Sequence, residues 1–184
     1  MTIQLDAATG SSTPSAKFPE PGNSIVVGIV NVNDYQQKNF DTEELLWWDD
    51  AHTQPRNGKV VTGLVVSADG VIVDTEDGER SVAPGDLVTF WCEGGKFLAY
   101  RDAVKAAKGA NVGDVMRWAR GDDEEPKRKG FNPRKVYNIA IRRPEAKDGD
   151  LADRCVEQYH ALKDRPALDE APAAAPSINA DEPF

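Results

Sequence analysis

Between Pro126 and Arg143 the chain carries seven basic residues and no acidic one: Lys127, Arg128, Lys129, Arg134, Lys135, Arg142 and Arg143. Phe131 and Tyr137 are set among them. Ammonium and guanidinium groups neutralise phosphates, and aromatic faces stack on unpaired bases at about 1–3 kcal/mol per base. The pattern points to a single-stranded nucleic acid as ligand. The plain alternative is a solvated hairpin whose lysines offset the preceding Asp122, Asp123, Glu124 and Glu125; the interleaved aromatics are what that alternative leaves unexplained. A second cluster lies in the polar stretch 34–57, where Tyr35, Phe40, Trp47 and Trp48 are followed by Arg56 and Lys59. Of two adjacent tryptophans in polar company, one can cap a core and the other is then free to stack. Trp91 and Trp118 fall in predicted strands, and alternation leaves open which face each occupies. The candidate nucleic-acid-binding set is therefore Trp47, Trp48, Arg56, Lys59, Trp91, Trp118, Lys127, Arg128, Lys129, Phe131, Arg134, Lys135 and Tyr137.

Signals for catalysis are weak. His52 and His160 stand alone, which supports neither a general base nor zinc. Asp49-Asp50 and the acidic run 122–125 read as solvated carboxylates rather than metal ligands. "EGGKF" (residues 93–97) lacks the spacing and the Ser/Thr of a phosphate-binding loop and reads as a strand-to-helix turn. No Ser/His/Asp or Cys/His arrangement emerges. The expectation is a non-enzymatic binding protein without metal or cofactor.

The elements that must position these residues follow from periodicity. "SIVVGIVNVN" (24–33) is a strand signal rich in β-branched residues. "GKVVTGLVVSADGVIVDT" (58–75) predicts two strands around Asp69-Gly70, a favoured hairpin dipeptide. Asp77-Gly78 marks another turn, and a strand follows over 86–92. In the stretch 96–108, Phe97, Tyr100, Val104 and Ala107 share one helical face, with Gly109 as a natural stop. "VGDVMRWAR" and "RKVYNIAIRR" read as two more strands joined by a long charged loop. A helix between the third and fourth strands of a five-stranded barrel, with long loops after strands one and four, is the layout of an OB-fold, which uses those loops to hold oligonucleotides. SH3-like barrels and sandwiches are the alternatives. Leu151, Cys155, Tyr159 and Leu162 then fall on one face of an amphipathic helix within 145–165, and Pro166 limits it.

The 184 residues carry a net charge of −9 and 40% hydrophobic residues. That suits one domain with tails and argues against a surface basic all over. Residues 1–17 are expected to be disordered, 18–144 to form the barrel, and 166–184 to be an extended Pro/Ala-rich linker. No run approaches the roughly 20 apolar residues of a membrane span, and the start lacks a signal-peptide layout. Cys92 and Cys155 read as free thiols of a reducing cytoplasm, a disulfide being the less favoured option.

The chain closes on "INADEPF". A partner could seat the Phe184 ring in an apolar pocket with a basic lip, Asp181 and Glu182 steering it there and Pro183 narrowing the free ensemble. An OB-like core, a low-complexity linker and a tip of Asp181, Glu182, Pro183 and Phe184 together resemble the bacterial-type single-stranded DNA-binding proteins. The linker is Ala/Pro-rich where many of that family are Gly/Gln-rich, the tip has fewer acids, and the first inter-strand loop is longer. "QQKNFDTEELLWWDD" resembles stretches of phage-encoded OB proteins of high-GC hosts. The resemblance implies a phage-encoded, homo-oligomeric protein of the host cytoplasm. It would coat and protect single strands during replication, recombination and repair, recruiting partner proteins through residues 181–184. An OB-like adaptor that binds only host proteins, without DNA, is the alternative.

Overall fold

The computed structural model describes residues 13–39, 41–75, 77–125 and 133–164. Lys127, Arg128, Lys129, Phe131, Phe40 and the tip 181–184 lie outside them. The structure is mainly β, as expected, and the described residues form eight strands in two sheets and two α-helices. The strands are β1 (Ala16–Lys17), β2 (Ser24–Gln36), β3 (Asn57–Asp69), β4 (Ile72–Thr75), β5 (Gly78–Ser81), β6 (Leu87–Cys92), β7 (Val115–Arg120) and β8 (Tyr137–Arg142). The helices are α1 (Gly94–Ala106) and α2 (Leu151–Lys163), preceded by a 3₁₀ turn at Ala146–Asp148.

The larger sheet has the order β6-β3-β2-β7-β8, and every pairing in it is antiparallel. Its central strand, β2, runs along β3 from Ser24 opposite Asp69 to Gln36 opposite Asn57, with register shifts at Val26/Val27 and Ile29/Asn31. Bulges of this kind bend a strand and raise its twist. β6 and β8 form the two edges, and no ladder joins them among the described residues. The expected closed five-stranded barrel is thus not formed: α1, between β6 and β7, packs against both edge strands instead. The expected order of strand and helix is otherwise present.

Two local expectations are corrected. Asp69-Gly70 does turn the chain, but β4 does not return along β3. It joins β1 and β5 in a separate three-stranded sheet of order β1-β4-β5. The end of the N-terminal segment is also structured: Ala16 and Lys17 face Val73 and Ile72, Thr89 N–H donates to the Pro14 carbonyl, and Lys17 pairs with Asp74 at 2.6 Å. The turn at Asp77-Gly78 does close a hairpin, β4–β5.

The main core is built from Ile25, Val27, Ile29, Val61, Val88, Phe90, Met116 and Trp118, with Phe18, Tyr100 and Val73 around them. Helix α1 adds Tyr100 and Ala103 as buried residues and Phe97 and Val104 as partly buried ones, the predicted face shifted slightly. A second cluster places Leu151 and Cys155 of α2 on Val30, Leu64 and Val115, with Tyr159 and Leu162 packed at its margin, which is the face the spacing predicted. Gly28 makes this docking fit: a Cβ there would stand 2.4 Å from the Cys155 sulfur and 3.0 Å from Leu151 Cδ1. Cys92 and Cys155 are free and buried, and burial pushes their thiols up to about 12 and about 11. No helix among the described residues is long and apolar enough to cross a membrane.

Candidate nucleic-acid interface

Beyond β2 and β3 the polar stretch 37–56 is an arm tied by backbone hydrogen bonds and isolated bridges rather than a loose loop. Backbone bonds from Leu46 N–H to Gln37 O, Arg56 N–H to Leu46 O and Trp48 N–H to Gln54 O hold it at 2.8–3.0 Å. Asp49 ties its tip by accepting the Thr53 hydroxyl at 2.5 Å and the Gln54 N–H at 2.7 Å. Those bonds, the hydroxyl foremost, hold its carboxyl below the ordinary value. The two tryptophans part company here. Trp47 is half-buried and stacks on His52, ring centroids 5.2 Å apart, and belongs to neither core cluster. Trp48 is 67% exposed, with the Arg56 guanidinium 4.5 Å from its ring centroid. Lys59 is held by Asp34 at 2.5 Å, so its charge is already matched.

A cleft of about 390 Å³ opens between the two sheet edges, lined by Trp91, Glu93, Gly95, Lys96, Arg134, Lys135 and Tyr137. Each arrives from a different constraint. Trp91 is the outward residue near the end of β6, 42% exposed, and it meets the edge of the Tyr35 ring at 4.9 Å and 84°. Tyr35 lies over Gly58, where a Cβ would stand 2.6 Å from the ring, so only glycine admits this packing. The Tyr35 hydroxyl donates to Glu93, and burial, followed by that carboxylate, raises its pKa. Lys96, in the first turn of α1, sits 5.0 Å from the centroid of Tyr137 at the start of β8. Desolvation lowers the Lys96 pKa, and burial raises that of Tyr137. Arg134 is anchored by reciprocal backbone bonds with Glu124 at 2.9 Å, and its guanidinium pairs loosely with that carboxylate at 3.5 Å. Lys135 is exposed.

Of the candidate residues, the fold brings Trp91, Arg134, Lys135 and Tyr137 into this cleft and puts Trp47, Trp48 and Arg56 on the arm. Trp118 is corrected from the stacking set: it is 1% exposed, stacked on Phe90 at 4.9 Å and on Phe18 at 6.1 Å, and its face is closed to any base. Arg142 and Arg143, the last two of the basic run, are engaged by Asp148 and Asp114. Lys96 and Glu93 were missed because "EGGKF" reads locally as a turn; only the arrival of β8 beside α1 makes them part of a site. The cleft offers an exposed indole, a half-buried phenol and three cations. Among the described residues, no three His, Cys, Asp or Glu side chains gather as a metal site. No family model, no curated protein and no solved structure matches the chain.

Proposed function

We propose that the protein is a non-enzymatic single-stranded DNA-binding protein whose core is an OB-type barrel opened along one seam. The sheet order β6-β3-β2-β7-β8 is the order an OB barrel would have if cut between its third and fifth strands, with α1 standing at the cut. The observation that carries the reading is the cleft at that seam. It sets exposed Trp91 and half-buried Tyr137 beside Lys96, Arg134 and Lys135. Flat rings for bases and cations for phosphates are the two elements that sequence-tolerant single-strand binding needs. Exposed Trp48 with Arg56 repeats the combination on the arm. Recruitment of replication, recombination and repair proteins through Asp181, Glu182, Pro183 and Phe184 belongs to the same proposal; its support is the sequence of these residues, an acidic pair followed by proline and phenylalanine.

The test is fluorescence anisotropy with a labelled single strand and its duplex, over a range of salt. Tighter binding to the single strand, weakening with salt and accompanied by tryptophan quenching, is expected. Equal affinity for the two forms refutes the stacking argument. Absence of binding to either refutes the DNA-binding reading and favours the protein-only adaptor.

A further inference from the structure

The seam cleft contains one group that a phosphate-binding surface disfavours. Glu93 stands among Lys96, Arg134 and Lys135. Among the described residues it makes no ion pair with them; Arg134 pairs with Glu124 instead. Its carboxylate accepts the Tyr35 hydroxyl, and Tyr35 is in turn wedged over Gly58 and set edge-on to Trp91. The carboxylate is thereby held beside the exposed indole rather than left to sweep through solvent. Next to it, Gly95 leaves the wall bare: a Cβ there would meet nothing within 4 Å.

A carboxylate accepts hydrogen bonds and donates none. Fixed beside a stacking ring, it meets the edge of the base that lies on that ring. Cytosine, adenine and guanine offer an exocyclic amino donor on that edge, whereas the one donor of an unpaired thymine, its N3–H, lies between two carbonyl oxygens that a carboxylate repels. We propose that Glu93 makes the cleft selective for a base carrying an exocyclic amino group, stacked on Trp91, over thymine. This selectivity rests on the single-stranded DNA reading above. It adds a sequence preference that a purely stacking and phosphate-binding surface would not have.

The experiment compares oligo-dC with oligo-dT of equal length by anisotropy, at matched salt and mildly alkaline pH to keep cytosines unpaired. The wild type should bind oligo-dC about three- to ten-fold more tightly. Glu93→Gln keeps the side-chain length and can still accept from Tyr35. Its amide also donates, so it should level the two affinities, mainly by improving oligo-dT. Its melting temperature should match the wild type, which separates base readout from a folding defect. Equal wild-type affinity for the two strands overturns the inference and leaves single-strand binding standing. An undiminished preference in Glu93→Gln overturns it as well. Failure to bind either strand overturns the underlying reading, and the inference with it.

Discussion

Replacing Lys96 and Lys135 by glutamine removes two of the three cations that line the cleft and leaves Arg134, whose charge Glu124 shares at 3.5 Å. Each phosphate neutralised on a single strand contributes about −0.7 to the slope of log affinity against log salt. Three cleft contacts therefore account for about −2 of the slope, and the double variant should lose about 1.4 of it. Over a fourfold rise in salt, the ratio of wild-type to variant affinity should then shrink about seven-fold. Lys96 also lies over the Tyr137 ring, and glutamine keeps much of its stem, so packing is largely preserved. The assay is anisotropy of a labelled oligonucleotide at several salt concentrations, with thermal unfolding as the control. Parallel log–log lines for wild type and variant, both folded, would show that these cations touch no phosphate and that the cleft is not the path of the backbone.

Trp91→Ala should weaken single-strand binding by about 1–3 kcal/mol with little change in salt slope or stability, whereas Trp118→Ala should cost about 3–5 kcal/mol of folding stability, read by urea denaturation. Gly28→Ala forces a methyl group into the Cys155 sulfur and should destabilise by about 1–3 kcal/mol. Adding Cys155→Ala should recover part of that loss, and strict additivity in the double-mutant cycle would show that α2 does not dock through this contact. Arg142 holds the Asp148 carboxyl well below its ordinary value. A depressed carboxylate stabilises the fold above its unfolded pKa of about 3.9 and loses that contribution as pH falls toward the folded one. Asp148→Asn should therefore be less stable than wild type at neutral pH, and the gap in urea midpoint should close on acidification.

The strand and helix order was legible because it rests on local periodicity. The β-branched run at 24–33 and the apolar spacings of α1 and α2 each specify an element without outside help. The fates of the tryptophans were not. Trp91 and Trp118 both sit in six-residue strands with similar neighbours. Trp118 is buried because Phe18 and Phe90 come to it from distant parts of the chain, whereas Trp91 stays open, with Tyr35 as its ring partner among the described residues. β1 was missed because two residues carry no period; its place is set by β4 and by the Lys17–Asp74 pair. Asp69-Gly70 signalled a turn correctly, but a turn dipeptide cannot say which strand the chain will join next. Within the site, aromatic and basic residues were visible as types, and their meeting at the seam was not, since it depends on β6 and β8 approaching without pairing.

Central strand β2 has neighbours of very different origin. Along one side it meets β3, separated from it by the arm. Along the other, Ser24 faces Ala119 and Gly28 faces Val115, so that pairing closes a ring of about 90 residues. Pairings at such separation form late and slowly, after their loop-closure entropy has been met. During synthesis the β2–β3 hairpin can assemble while β7 has yet to emerge, and one side of β2 then stands bare, with Val27 and Ile29 among its side chains. A nascent chain paused there presents an unpaired, apolar strand edge, the form in which β proteins join one another wrongly. A fragment ending after α1 should therefore aggregate on release, because the strand that completes β2 lies beyond it.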